Sequence, residues 1–120
     1  MADYASNQEP VLLVCAPDGA RKYVRILQTP FLIGRGAETG NHLQLLDQRL
    51  SRGCAAVVKE QEQFYIESRN PRYGHLFING RRTENGLLND GDVITFGVED
   101  SYEIYFLRSP EEDPHKRFVP

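Results

Sequence analysis

Three polar side chains in the first half of the chain have the types and spacing to hold an anion. Arg35 follows Gly34 at the end of the apolar run Phe31-Leu32-Ile33. Ser51-Arg52 precede a second apolar run that reaches Val58. A long polar connection separates the two, and turn chemistry at both strand ends puts two guanidiniums and a hydroxyl in loops. A guanidinium presents a planar fork of donors that matches phosphate, while a hydroxyl and backbone N–H groups add charge-assisted bonds. Taken singly, Gly34-Arg35 is an ordinary turn and Ser51-Arg52 a solvated loop. Together they suit a compact anionic ligand.

Other chemistry has less support. Cys54 opens an apolar strand without a glycine-rich oxyanion turn, so it reads as a small packed hydrophobe rather than a nucleophile. His42, His75 and His115 lack metal-ligand spacing, and two cysteines alone make no zinc site. Asn89-Asp90-Gly91-Asp92 lacks the further oxygen ligands and terminal glutamate of a calcium loop, and reads as a tight turn. No metal, cofactor or catalytic residue is expected. A net charge of -3 argues against a general nucleic-acid binder. Residues 34–82 nevertheless hold eight basic and five acidic side chains, a local +3 against -6 for the remainder. A basic face on an acidic domain suits a compact anion better than a long polyanion.

The loops need a rigid frame. At 120 residues the chain is long enough for one core but not two. Its 40% hydrophobic content and mean hydropathy of -0.50 suit a globular domain. No apolar run approaches the roughly 20 residues of a membrane span, and the first ten residues lack the pattern of a secretory signal. Cys15 and Cys54, each in an apolar run, read as buried reduced thiols of a cytoplasmic protein. Short apolar or alternating runs begin at Val11, Lys22, Phe31, Leu43, Cys54, Phe64, Leu76, Val93 and Tyr102. Turn residues divide them, among them Pro17-Asp18-Gly19, Asn79-Gly80, Asn85-Gly86 and Asn89-Asp90-Gly91. No segment carries apolar residues at helical spacing. About ten short strands make an all-β fold, a β-sandwich over residues 11–108. Residues 1–10 form a loose arm, and 109–120, rich in proline and charge, a tail or linker.

The order of motifs resembles the forkhead-associated (FHA) domain across nearly the whole chain. The matching marks are Phe31-Leu32-Ile33-Gly34-Arg35, Leu43-Gln44-Leu45 with Asp47, and Ser51-Arg52. Further on are Phe64-Tyr65-Ile66-Glu67, Phe77-Ile78-Asn79-Gly80, and Leu88 through Gly97. The resemblance implies two twisted, mainly antiparallel sheets whose end loops bind phosphothreonine in a partner protein, without catalysis. It implies that Arg35 grips the phosphate, that Ser51 donates its hydroxyl, and that Arg52 adds a side-chain or backbone contact. Gly34 is expected to let the backbone turn Arg35 toward the ligand. Asn79 and Gly80 are structural, as a primed turn.

Two departures from the family pattern carry weight. A histidine usually stands three residues after the serine to buttress the loops. Here it is Cys54, whose thiol cannot reproduce imidazole's hydrogen bonds. The family's Ser-x-Asn-Gly-Thr, with its backbone-clamping asparagine, is also blurred. Gly74 or Tyr73 falls at the asparagine position according to the count, and Asn70 serves only if the loop folds differently. Asn70, Arg72, Tyr73 and Gly74 are therefore the candidate peptide-binding residues. With that wall displaced, affinity is expected to depend strongly on phosphate and weakly on the threonine methyl, with Arg69 or Arg72 adding charge. The expected partner is a threonine-phosphorylated protein in signalling, with a fused output domain as a further candidate, and neither nucleic acid nor membrane. A phosphate-independent scaffold on the same fold is the alternative.

Overall fold

Alternating apolar residues broken by turn residues every few positions produce strands and, among the described residues, no helix. The computed structural model describes residues 9–36, 40–70 and 75–108. The strands are β1 (Val11–Cys15), β2 (Arg21–Arg25), β3 (Phe31–Arg35), β4 (Leu43–Leu45), β5 (Ala55–Glu60), β6 (Gln63–Ser68), β7 (Leu76–Ile78), β8 (Arg81–Thr83), β9 (Asn85–Leu88), β10 (Val93–Thr95) and β11 (Glu103–Leu107). They form a six-stranded sheet in the order β2-β1-β11-β10-β7-β8 and a five-stranded sheet in the order β4-β3-β5-β6-β9. The expected all-β sandwich is the observed architecture. The described residues contain no helix long and apolar enough to cross a membrane.

Side chains facing between the sheets form one core. Leu12, Val14, Ile94, Ile104 and Phe106 come from the first sheet, and Ile33, Leu43, Leu45, Val57 and Ile66 from the second. Phe106 on β11 reaches across to Phe64 on β6, with ring centroids 5.8 Å apart and planes at 50°. That tilted contact joins the sheets near one end. Val11, Leu13 and Leu107 alternate out of this core and cluster separately, as the period of two requires.

One pairing decides where the loops gather. β3 and β4 are parallel, with Ile33 opposite Leu43 and Arg35 opposite Leu45. The chain must therefore run back alongside β3 before β4 can start, and residues 36–42 are that return. β5 lies antiparallel to β3, with Ala55 opposite Ile33, and β6 places Ser68 opposite Ala55. By these registers the connections 36–42, 46–54 and 69–75 all emerge at one end of the sandwich.

Two expectations need correction. Arg81–Thr83 is a strand of its own, paired with β7 through the turn at Asn79 and Gly80. Those two residues have φ of 52° and 82°, the left-handed pair that a primed turn demands. Asn85-Gly86 is not a turn but the start of β9, with Gly86 opposite Ile66. A Cβ on Gly86 would lie 2.8 Å from Ile78 Cδ1, so glycine is there for close packing rather than for a bend. The expected tail at 109–120, and all but the last two residues of the expected arm at 1–10, lie outside the described residues.

Phe106 is fully buried. Truncating it leaves a cavity between the sheets that rigid strands cannot close. Phe106→Ala is expected to lower the unfolding free energy by about 3–5 kcal/mol in denaturant titrations. A loss below about 1 kcal/mol would show that this contact does not hold the sheets together.

Candidate functional site

The end of β3 and the 46–54 connection are packed backbone to backbone. Arg35 N donates to Ser51 O at 3.0 Å, and Cys54 N donates to Ile33 O at 2.9 Å. At Gly34 an added Cβ would stand 2.0 Å from the Arg52 carbonyl oxygen, well inside any permitted contact. Gly34 is thus required by the approach of the second loop. It lies in β3 without a left-handed φ, so the expectation that it turns the backbone is corrected. Asn41 completes the join. Its Nδ2 donates to Arg52 O at 2.7 Å and to Gly36 O at 3.2 Å, tying the return loop to the 46–54 connection.

Within this frame the Arg35 guanidinium is aimed by a single bond, Nε donating to Leu50 O at 3.0 Å. Among the described residues neither Nη group has a protein partner, so a two-donor edge remains for a ligand. Ser51 is held on two sides. Asn70 Nδ2 donates to its Oγ at 3.0 Å, and Gly53 N does so at 3.3 Å. Arg52 has an exposed side chain on the same turn. A gap of about 30 Å³ opens beside Ser51, walled by Cys54, Asn70, His75, Phe96 and Val98. That is room for a small group such as a water or a methyl.

The structure brings Arg35, Ser51, Arg52 and Asn70 to one end of the sandwich. Asn70 arrives because Arg69 N donates to Cys54 O at 3.0 Å, which turns the start of the 69–75 connection over Ser51. Asn70 and His75 line the gap, and the rest of the wall expected to be displaced lies outside the described residues. Arg72, Tyr73 and Gly74 lie outside the described residues. Arg69, considered as added charge, is 3.8 Å from the Glu67 carboxylate. Asn41 was missed by the sequence reading. A polar residue after Gly40 in a loop carries no signal of which carbonyls it will meet.

Cys54 occupies the position where a histidine would buttress the loops. Its Sγ donates to Ser51 O at 3.2 Å, and burial pushes the thiol up to about 11. Both cysteines are free. The thiol is neutral in the fold, so its contribution to stability is fully present below its ordinary value of 9.0 and is lost as pH rises toward about 11. At neutral pH, Cys54 is expected to react with a small thiol reagent more slowly than half-buried Cys15, at a rate limited by opening of the fold. Prompt labelling of Cys54 in the native protein would contradict this packing.

Comparisons with known proteins agree with this geometry. The FHA domain family model matches residues 31–97, more than half of the chain. No curated protein matches the sequence. Among solved structures, the FhaA FHA domain complexed with the intracellular domain of Rv3910 is 22% identical, with TM-score 0.66, covering 79% of this chain and 98% of that one. An FHA domain from a study of phosphothreonine-dependent FHA domain interactions is 23% identical, with TM-score 0.66 and coverage of 81% and 95%. EmbR of Mycobacterium tuberculosis, in complex with a low-affinity phosphopeptide, is 25% identical with TM-score 0.65. The match covers 88% of this chain and 26% of that longer one. The family match, the two-sheet sandwich and the loops gathered at one end lead to one conclusion: the chain belongs to the FHA domain family, the non-catalytic modules of phosphopeptide recognition.

Proposed function

We propose that this chain binds threonine-phosphorylated segments of a partner protein, with the phosphate held between Arg35, Ser51 and Arg52. The observation that carries the reading is the disposition of Arg35. Its Nε is engaged by the Leu50 carbonyl, which leaves the Nη edge for a doubly ionised phosphate. The Ser51 hydroxyl can turn from the Gly53 carbonyl, 3.3 Å away, to donate to a phosphate oxygen. Asn70, already bonded to Ser51, stands where it can also meet the peptide backbone. The complexes described for FhaA and EmbR support a partner protein or phosphopeptide as the class of ligand. Two free thiols suit a reducing compartment, so we place the module in the cytoplasm, coupling a kinase to an assembly or to a fused output domain.

Arg35→Ala is expected to weaken binding of a phosphothreonine peptide by about tenfold or more, since charged hydrogen bonds contribute about 1.5–3 kcal/mol each. Arg35→Lys is expected to bind poorly as well, because a point charge does not reproduce the fork. Titration calorimetry against phosphorylated and dephosphorylated copies of one peptide checks both. Equal binding of the two copies by the native chain would instead favour a phosphate-independent scaffold.

The gap beside Ser51 changes what is expected of the threonine methyl. Burying one such carbon contributes about 0.8 kcal/mol, roughly a fourfold preference for phosphothreonine over phosphoserine. A matched peptide pair differing only in that methyl is expected to show at least this preference. Identical affinities would mean that the gap closes, or is bypassed, when the peptide binds.

A further inference from the structure

We propose that Asp47 and Ser101 are positioning residues of the phosphate site. Together they fasten the turn that aims Arg35 to the connection between β10 and β11. The inference rests on the phosphate-binding reading above.

The Asp47 carboxylate accepts four hydrogen bonds. Oδ1 takes Arg49 N and Arg49 Nε, each at 3.0 Å, and Oδ2 takes Arg49 Nη2 at 2.9 Å and Ser101 Oγ at 2.7 Å. The Arg49 guanidinium, and after it the Ser101 hydroxyl, hold the carboxyl well below the usual carboxylate range, although burial opposes them. Only 9% of the Asp47 side chain is accessible. Two further bonds span the same junction. Leu46 N donates to Tyr102 Oη at 3.0 Å, and Arg49 Nη2 reaches Asp100 O at 3.4 Å. Asp100 has a φ of 53°, in the left-handed region that aspartate tolerates better than most residues. The turn so formed delivers Ser101 to Asp47.

The path from this latch to the phosphate site is short. Leu50 N donates to Asp47 O at 3.0 Å, closing the turn, and the next acceptor is Leu50 O, which receives Arg35 Nε. Ser51 follows directly. A shift of the turn that breaks the Leu50–Arg35 bond frees the guanidinium to rotate, and a preorganised fork becomes a mobile one. Preorganisation of the donors is what such a site needs to bind tightly.

A purely structural role would lower stability without acting through Arg35, so the test reads Arg35 directly. The probe is a phosphothreonine peptide that the native chain selects from a degenerate library. Ser101→Ala is expected to bind it about fivefold more weakly, Asp47→Asn about tenfold more weakly, and Ser101→Thr nearly as the native chain does. Without ligand, solvent exchange of the Arg35 Nε–H, followed by NMR, is expected to quicken in Ser101→Ala and not in Ser101→Thr. In an Arg35→Lys background, which has no Nε, Ser101→Ala is expected to change the residual affinity less than about twofold. Native-like binding and exchange in Ser101→Ala would overturn the latch, as would an undiminished loss in the Arg35→Lys background. Failure of the native chain to select any phosphopeptide would instead overturn the phosphate reading, and this inference with it.

Discussion

The Arg52 carbonyl oxygen sits where a side chain on residue 34 would begin. That contact, possible only because residue 34 is glycine, lets the 46–54 connection lie directly against the last residues of β3. Everything at this end of the molecule follows from it. Arg35 and Ser51 share a backbone hydrogen bond, Leu50 comes within reach of the Arg35 guanidinium, and Asn41 spans the remaining distance to Arg52. Larger side chains at 34 would separate the loops, and each of these short bonds would lose its geometry together.

The site is built almost wholly from short-range polar contacts set on an apolar frame. The frame is ordinary: two sheets, one interior, and strands whose buried and exposed residues alternate. It is stiff enough to hold the connections 36–42, 46–54 and 69–75 at one end. Polar bonds then settle details the core cannot. A cysteine thiol and two asparagines tie the loops to one another. The thiol closes on Ser51 O, Asn41 on Arg52 O, and Asn70 on Ser51 Oγ. Cys54 gives a weaker donor than imidazole but fits a buried position, where its neutral form is favoured.

Charge is arranged by the same economy. Asp47 and Arg49 neutralise each other through two parallel bonds, so this arginine adds rigidity to the turn while Arg35 keeps an open edge. Arg69 is shared with Glu67, at longer range and in greater exposure, where such pairs contribute little. The basic excess read from residues 34–82 is therefore not one uniform patch. It includes cations paired with carboxylates and, in Arg35, a guanidinium whose Nη donors meet no protein group among the described residues.

The residues themselves determined the frame. Period-two alternation and turn dipeptides are local properties, and they located all but two of the strands (β8 and β9), the primed turn at Asn79 and Gly80, and the family resemblance carried by Arg35, Ser51 and Arg52. Gly86 shows where that local reading fails. A glycine beside asparagine has the composition of a turn, yet here it is needed because Ile78 of the opposing sheet passes 2.8 Å from its would-be Cβ. Gly34 repeats the lesson with the Arg52 carbonyl. The placement of Asn70 beside Ser51, of Asn41 beneath Arg52, and of Ser101 on a carboxylate 54 residues earlier was decided only in three dimensions. Each depends on loops brought together by strand register, and a side chain's hydrogen-bond partner across such a distance leaves no pattern among its sequence neighbours.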